Sequence, residues 1–157
     1  MTNLSQWLDE YSASHRNPTN KLLHWICVPL IAFSIGAALK VAPIGYGHIN
    51  LATIVGACAL LYYFRLSWRL ALGMTVIFLL AYWLIAALHA ALGVELLWLS
   101  VAVFVLAWVG QFIGHHLERA RPSFFKDLQF LLIGPLWLLD AAYRSMSIPT
   151  GRSVAAH

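Results

Sequence analysis

Four apolar runs, at roughly 22–40, 49–64, 68–92 and 96–116, take up most of this 157-residue chain. A helix that crosses a bilayer needs about 20 mostly apolar residues, with a working range of about 17–25. A soluble domain is roughly half apolar and a quarter charged, whereas this chain is 61% hydrophobic and 10% charged. The pattern defines an all-α, polytopic membrane bundle, and the length suits one integral-membrane domain over 1–157. Pro43, Gly45 and Gly47 mark the first connection, Arg65 and Arg69 the second, and Gly93 with Glu95 the third. The second run is short, so it is expected to tilt or to borrow flanking residues.

A fifth run, 128–143, contains Gly134-Pro135 and Asp140. It either crosses or bends back as a broken helix packed against protein, so four to five spans are expected. Before the first run, Leu4, Trp7, Leu8 and Tyr11 fall at i, i+3, i+4 and i+7, which is one helical stripe. Asn3 with Gln6 resembles a capping box. The expectation is an amphipathic helix in the interface, with packing against a partner helix as the alternative. The domain then divides into an interfacial segment (1–17), a bundle (18–143) and a tail (144–157).

Charge sets the orientation. If the first four runs cross, one side holds Arg16, Lys21, Arg65, Arg69, Arg119, Arg121 and Lys126, and the other side's connections hold only Lys40. Positive loops face the cytoplasm, so the N-terminus is expected there. Arg144 and Arg152 join that side if the fifth run does not cross. The formal charge of +4 forms no face that could track phosphates, and no nucleic-acid partner is expected. The opening MTNLSQWLDEYSASH lacks the pattern of a signal peptide, so the first span is expected to direct its own insertion. Short loops and no retrieval signal favour a bacterial inner membrane over the endoplasmic reticulum. Cys27 and Cys58 lie inside apolar runs and read as buried thiols.

Alternation of spans gathers polar residues from distant parts of the chain. An odd span begins, and an even span ends, on the side where the chain starts. His15, His24, His115 and His116 therefore share the cytoplasmic end, while His48 and His89 fall at the outer end. On the fourth span Gln111, His115 and Glu118 follow at i, i+4 and i+7 on one face, and His116 points about a hundred degrees away. Polar groups in a bilayer are costly unless paired or lining a cavity, which makes them functional candidates. Interhelical hydrogen bonding is the structural alternative.

The stretch HRNPTNKLLHW adds a constraint. Nine residues of straight helix would turn His15 and His24 onto opposite faces. Pro18 disfavours helix at Asn17 and suits the first turn of a new helix. Asn17 can cap that helix, and the break lets His15 fold back over the mouth that His24 faces. Asn20 either orients a ring, contacts a ligand or is a surface residue. Imidazoles with a carboxylate and no thiolate suit iron, zinc, copper or nickel. An open His-rich site could bind Fe(II) and activate O2, or hold zinc for hydrolysis. The chain has no GxSxG elbow, HExxH, Walker loop or dinucleotide fingerprint, and Ser123 has no obvious base beside it other than His116.

Two blocks, HRNPTNKLLHWICVPL and WVGQFIGHHLERARPSFFKDLQFLLIGPLWLL, resemble the 2-hydroxy fatty acid dioxygenases. These are small membrane proteins with a yeast member acting in phytosphingosine breakdown. The resemblance implies an Fe(II)-dependent α-oxidation in which a 2-hydroxy fatty acid and O2 give the acid one carbon shorter. It carries metal or catalytic roles onto His15, His24 and His115, and matches Glu118 and Pro122 to the family's acidic residue and proline. His116 is an additional candidate ligand. Asn17, Asn20, Gln111, Arg119 and Arg121 are candidate substrate contacts, with Lys126 a further carboxylate attractor and Gln129 and Asp140 candidate orienting residues. The family often has a glycine near Cys27, where this chain has none. The acyl chain is expected to lie among the spans, in contact with membrane lipid. A zinc-dependent lipid hydrolase and a non-catalytic lipid-binding membrane protein are the competing readings.

Overall fold

A computed structural model describes residues 4–46, 48–118 and 124–150. Six helices follow in order: α1 (Leu4–Ala13), α2 (Pro18–Val41), α3 (Leu51–Leu66), α4 (Trp68–Leu92), α5 (Glu95–Glu118) and α6 (Phe124–Ser145). Between α2 and α3 a small antiparallel hairpin pairs β1 (Gly45–Tyr46) with β2 (Ile49–Asn50). The fold is all-α apart from this hairpin.

Among the described residues, α2, α4 and α5 are long and apolar enough to cross a membrane, with 24, 25 and 24 residues. The shorter α3 is apolar and has 16 residues. At 1.5 Å per residue it rises about 24 Å, less than a hydrocarbon core of about 30 Å. The outward faces of the long helices are oily: Leu79, Leu80, Trp83 and Leu106 are all exposed. Cys58 also faces outward on α3, contrary to the expectation of a buried thiol, while Cys27 is buried. An exposed apolar surface this extensive suits lipid, not water.

The fifth apolar run does not break at Gly134-Pro135. It forms one continuous α6 with Pro135 inside it. A proline removes the donor to the carbonyl four residues earlier, here Leu131, and the Tyr63 hydroxyl donates to the adjacent Leu132 carbonyl at 2.7 Å, tying α3 to this turn of α6. α6 packs on α1, on α2 and on the first turns of α4, with Leu4, Leu8, Tyr11, Val28, Leu70, Met74, Ile133 and Leu136 in one buried cluster. The apolar stripe of α1 is thus spent on α6, the alternative to an interfacial placement. Trp137 Nε1 donates to Ser12 Oγ at 2.8 Å, and Ser67 Oγ donates to the Thr150 carbonyl at 2.9 Å. Together α1 and α6 cover one end of the bundle.

The largest helix–helix contact is between α2 and α5, and small residues make it possible. A Cβ on Gly110 would stand 2.6 Å from Cys27 Sγ, and one on Gly114 would stand 2.3 Å from Asn20 Oδ1. Helices in membranes associate through such close approaches. The close approach at Cys27 is therefore supplied by Gly110 of the facing helix. At the opposite end of the bundle, Asn50 caps α3 in a capping box with Thr53, and Lys40 and Asn50 both donate to the Tyr82 hydroxyl.

Gly114→Ala should force Asn20 aside in a fully packed seam and lower stability by about 1–3 kcal/mol, the usual scale for overpacking. Gly56→Ala, whose Cβ would meet only Phe78 at 3.8 Å, should be silent. Thermal unfolding of both variants in detergent compares the two; equal melting temperatures would show that the α2–α5 seam is loose.

Candidate metal centre

The break at Asn17-Pro18 forms as the sequence predicts. Asn17 is the extended N-cap of α2, its side chain accepts from the Thr19 and Asn20 N–H groups at 2.9 and 3.3 Å, and Pro18 opens the helix. α1 ends in a tight turn, with the Ser14 and His15 N–H groups bonded to the Tyr11 and Ser12 carbonyls. The chain thereby folds His15 over the first turns of α2.

His15 is buried, and its Nδ1 bonds the Tyr11 carbonyl at 2.5 Å. The ring lies flat on Tyr11, centroids 4.2 Å apart and planes 7° apart, with Trp137 on another side at 5.5 Å. His24 is buried too, and its Nδ1 bonds the Asn20 carbonyl one turn earlier at 2.9 Å. A carbonyl can only accept, so Nδ1 carries the proton on both rings and Nε2 keeps its lone pair. This is how protein metal sites fix the tautomer and aim of a histidine ligand. His15 Nε2 is buried with no hydrogen-bond partner.

His115 of α5 completes the group. Its ring centroid lies 5.6 Å from His15 and 5.1 Å from His24, which are themselves 4.1 Å apart. One nitrogen from each ring falls within 4.8 Å of the others, so the three could hold one ion. An orphaned lone pair and an all-imidazole donor set fit iron, zinc, copper or nickel. Burial pushes the His15 imidazole down from 6.5 to about 4, and nearby His115 adds to this against the opposing Tyr11 carbonyl and Glu118. The ring is therefore neutral at pH 7, as a ligand must be.

Glu118 is beside the group but is not one of its three members. Its carboxylate accepts from the Arg16 N–H at 2.7 Å, the Asn17 N–H at 2.9 Å and the Asn20 Nδ2 at 3.1 Å. Asn20 is fully buried, donates also to the Ser14 carbonyl at 3.3 Å, and presses Oδ1 against Gly114. Asn17 and Asn20 thus hold the turn, and Glu118 locks it to α5. His116 is exposed and stands apart from the group, because one residue along a helix turns about a hundred degrees. Gln111 is buried one turn below His115, with its Nε2 unpartnered. Asp140 is fully buried and accepts from Arg144 Nε at 3.0 Å. Arg119, Arg121, Pro122 and Ser123, and the side chains of Lys126 and Gln129, lie outside the described residues. The sequence did not single out Tyr11 and Trp137 as walls of the site. Tyr11 stands one helical turn before His15, a signal that was available; Trp137 arrives on a separate helix and left none.

Fold and site define a helical membrane protein with a three-histidine group, two of its members buried, built from α2, α5 and the α1–α2 turn, at one end of its bundle. The family model of Mpo1-like 2-hydroxy-palmitic acid dioxygenases matches residues 1–146. The 2-hydroxy-palmitic acid dioxygenase MPO1 of Saccharomyces cerevisiae is 32% identical over 145 residues, covering 88% of this chain and 79% of the yeast protein. The chain belongs to the Mpo1-like 2-hydroxy-palmitic acid dioxygenase family. No solved structure matches it.

Two outcomes follow from the geometry. Glu118→Ala should free the α1–α2 turn and weaken metal affinity about 10- to 100-fold, the range for lost supporting contacts, with Glu118→Gln milder; metal analysis after dialysis measures both. His15 also gives the metal-free protein a pH dependence. Its folded value lies below its unfolded one, so the unfolded chain takes up the proton first as the pH falls. The stability is full above about 6.5 and drops as the pH falls from 6.5 toward about 4. Melting temperatures across that window should slope downward, and His15→Gln should flatten the slope.

Proposed function

We propose that this protein is an Fe(II)-dependent dioxygenase that converts a 2-hydroxy fatty acid and O2 into the acid one carbon shorter, with carbon dioxide and water. The observation that carries this reading is the triad of imidazoles, two of them buried with Nδ1 bonded to a backbone carbonyl, in a chain of this family. His15, His24 and His115 would hold the metal, and Fe(II) with open coordination positions supplies O2 activation when bound.

The chain's own residues account for the rest. The Tyr11 and Asn20 carbonyls hold the proton at Nδ1 of His15 and His24, so those rings do not rotate away. Tyr11 and Trp137 flank the His15 ring, one stacked and one tilted, and hold its plane. Gln111, buried one turn from His115 with its Nε2 unpartnered, would be a donor to a substrate oxygen. The excess of Lys and Arg in the connections on this side supports a cytoplasmic location for this end of the bundle and for the N-terminus.

Oxygen uptake by anaerobically purified protein tests the reading directly. With 2-hydroxypalmitate, uptake should require added Fe(II) and yield pentadecanoate, and His24→Ala or His115→Ala should lower it by more than about 100-fold. Stoichiometric zinc with no oxygen uptake would instead identify a hydrolase. Full turnover in both histidine variants would move the chemistry elsewhere.

A further inference from the structure

A cavity of about 340 Å³ lies between α1, α2 and α6, with His15 forming part of its wall. Its lining includes Arg16, Lys21 and Arg144, together with Trp25 and Trp137, and among the described residues it holds no carboxylate. Arg144 is partly neutralised by the buried Asp140 behind it. Arg16 and Lys21, both exposed side chains around the start of α2, have no comparable counter-ion in the lining. We propose that this cavity docks the carboxylate head of a long-chain acid, with Lys21 and Arg16 as specificity-determining cations. The identity of the ligand as a fatty carboxylate rests on the dioxygenase reading.

Three observations point to an amphiphile with a small anionic head. The three cations Arg16, Lys21 and Arg144, only the last of them ion-paired among the described residues, concentrate anions at the recess. The volume is at the low end of small-molecule pockets, about 300–1,000 Å³, so it holds a head and its first carbons, not a long chain. The remainder has a path beside Trp25, where α2 presents Leu22 (61% exposed), Ile26 (53%) and Leu30 (41%) as one outward apolar stripe. A head held against the cations lies next to His15, and its tail lies along a surface suited to lipid. Lys21 and Arg16 are positioning residues: they set where the acid sits, and they are not members of the histidine group.

Binding can be read without turnover. Full-length protein in phosphatidylcholine nanodiscs is titrated with 5-doxylstearate, whose nitroxide quenches nearby indoles, and with its methyl ester. The free acid should quench saturably, the ester should not, and Trp25→Phe should remove part of the signal. Lys21→Met should weaken binding about tenfold, the scale of one lost charge-assisted hydrogen bond, and Lys21→Arg should restore most of it. In turnover, Lys21→Met should raise KM with little change in kcat and none in metal content. Equal binding of acid and ester, or unchanged binding in both Lys21→Met and Arg16→Met, would overturn the proposal. Displacement of the acid by phosphatidylglycerol would also overturn it, assigning the site to a phospholipid head. The two readings fail separately. Lys21-dependent acid binding without turnover of any 2-hydroxy acid removes the dioxygenase and keeps the pocket. Fe(II)-dependent turnover with unchanged KM and unchanged binding removes the pocket alone.

Discussion

The carboxylate of Glu118 joins the two parts of the chain on which the histidine group depends. It sits at the last residue of α5, where its own helix dipole is unfavourable to a negative charge. The same carboxylate lies against the start of α2, where the dipole favours it. There it accepts two backbone N–H groups of the α1–α2 turn and the Asn20 amide. One side chain therefore fixes the turn that carries His15, the first turn of the helix that carries His24, and the end of the helix that carries His115. The contact is possible because Gly114 leaves room for Asn20. Substituting any larger residue there would separate the partners before any histidine was touched.

Much of this was legible in the residues, and the reason is topological. Four alternating runs bring the start of the first and the end of the fourth to one side, which is how the sequence put His24 and His115 at one depth, and the structure does bring these two rings together. The Asn17-Pro18 pair had to break the helix, because a proline dictates the conformation of the residue before it. The histidine group followed from these two constraints. The role of Glu118 did not follow, because sequence places a carboxylate near a site without saying which N–H groups will claim it. His116 shows the same limit: adjacency in sequence to His115 is separation in space on a helix.

The fifth run was the hardest to read. Gly-Pro inside an apolar stretch signals a break, yet α6 continues through it. The same turn is tied to α3 by the Tyr63 hydroxyl on the Leu132 carbonyl, a contact spanning two helices that no local pattern encodes. Gly134 has a separate use, since a Cβ there would crowd Tyr11 and Val28 at 3.2 and 3.3 Å. The pair therefore serves a close approach and not a reversal. Likewise, the stripe of α1 could be read as apolar but not assigned a partner, since lipid and α6 satisfy it equally well by hydrophobicity alone.

The placement of α1 and α6 connects fold to chemistry. Neutral imidazoles are cheaper to bury than charged ones, but their lone pairs still need either a partner or an ion. Helices buried in lipid on every side would offer no polar mouth, and an open bundle end would flood the rings with water. A cap made from the two ends of the chain resolves this conflict. Leu8, Tyr11, Leu136 and Trp137 close the apolar side, whereas Ser12, Arg16, Lys21 and Arg144 leave a polar opening beside His15. The same wall thus meets two solvents, and a ligand with a charged head and an oily tail is the kind of molecule that can satisfy both.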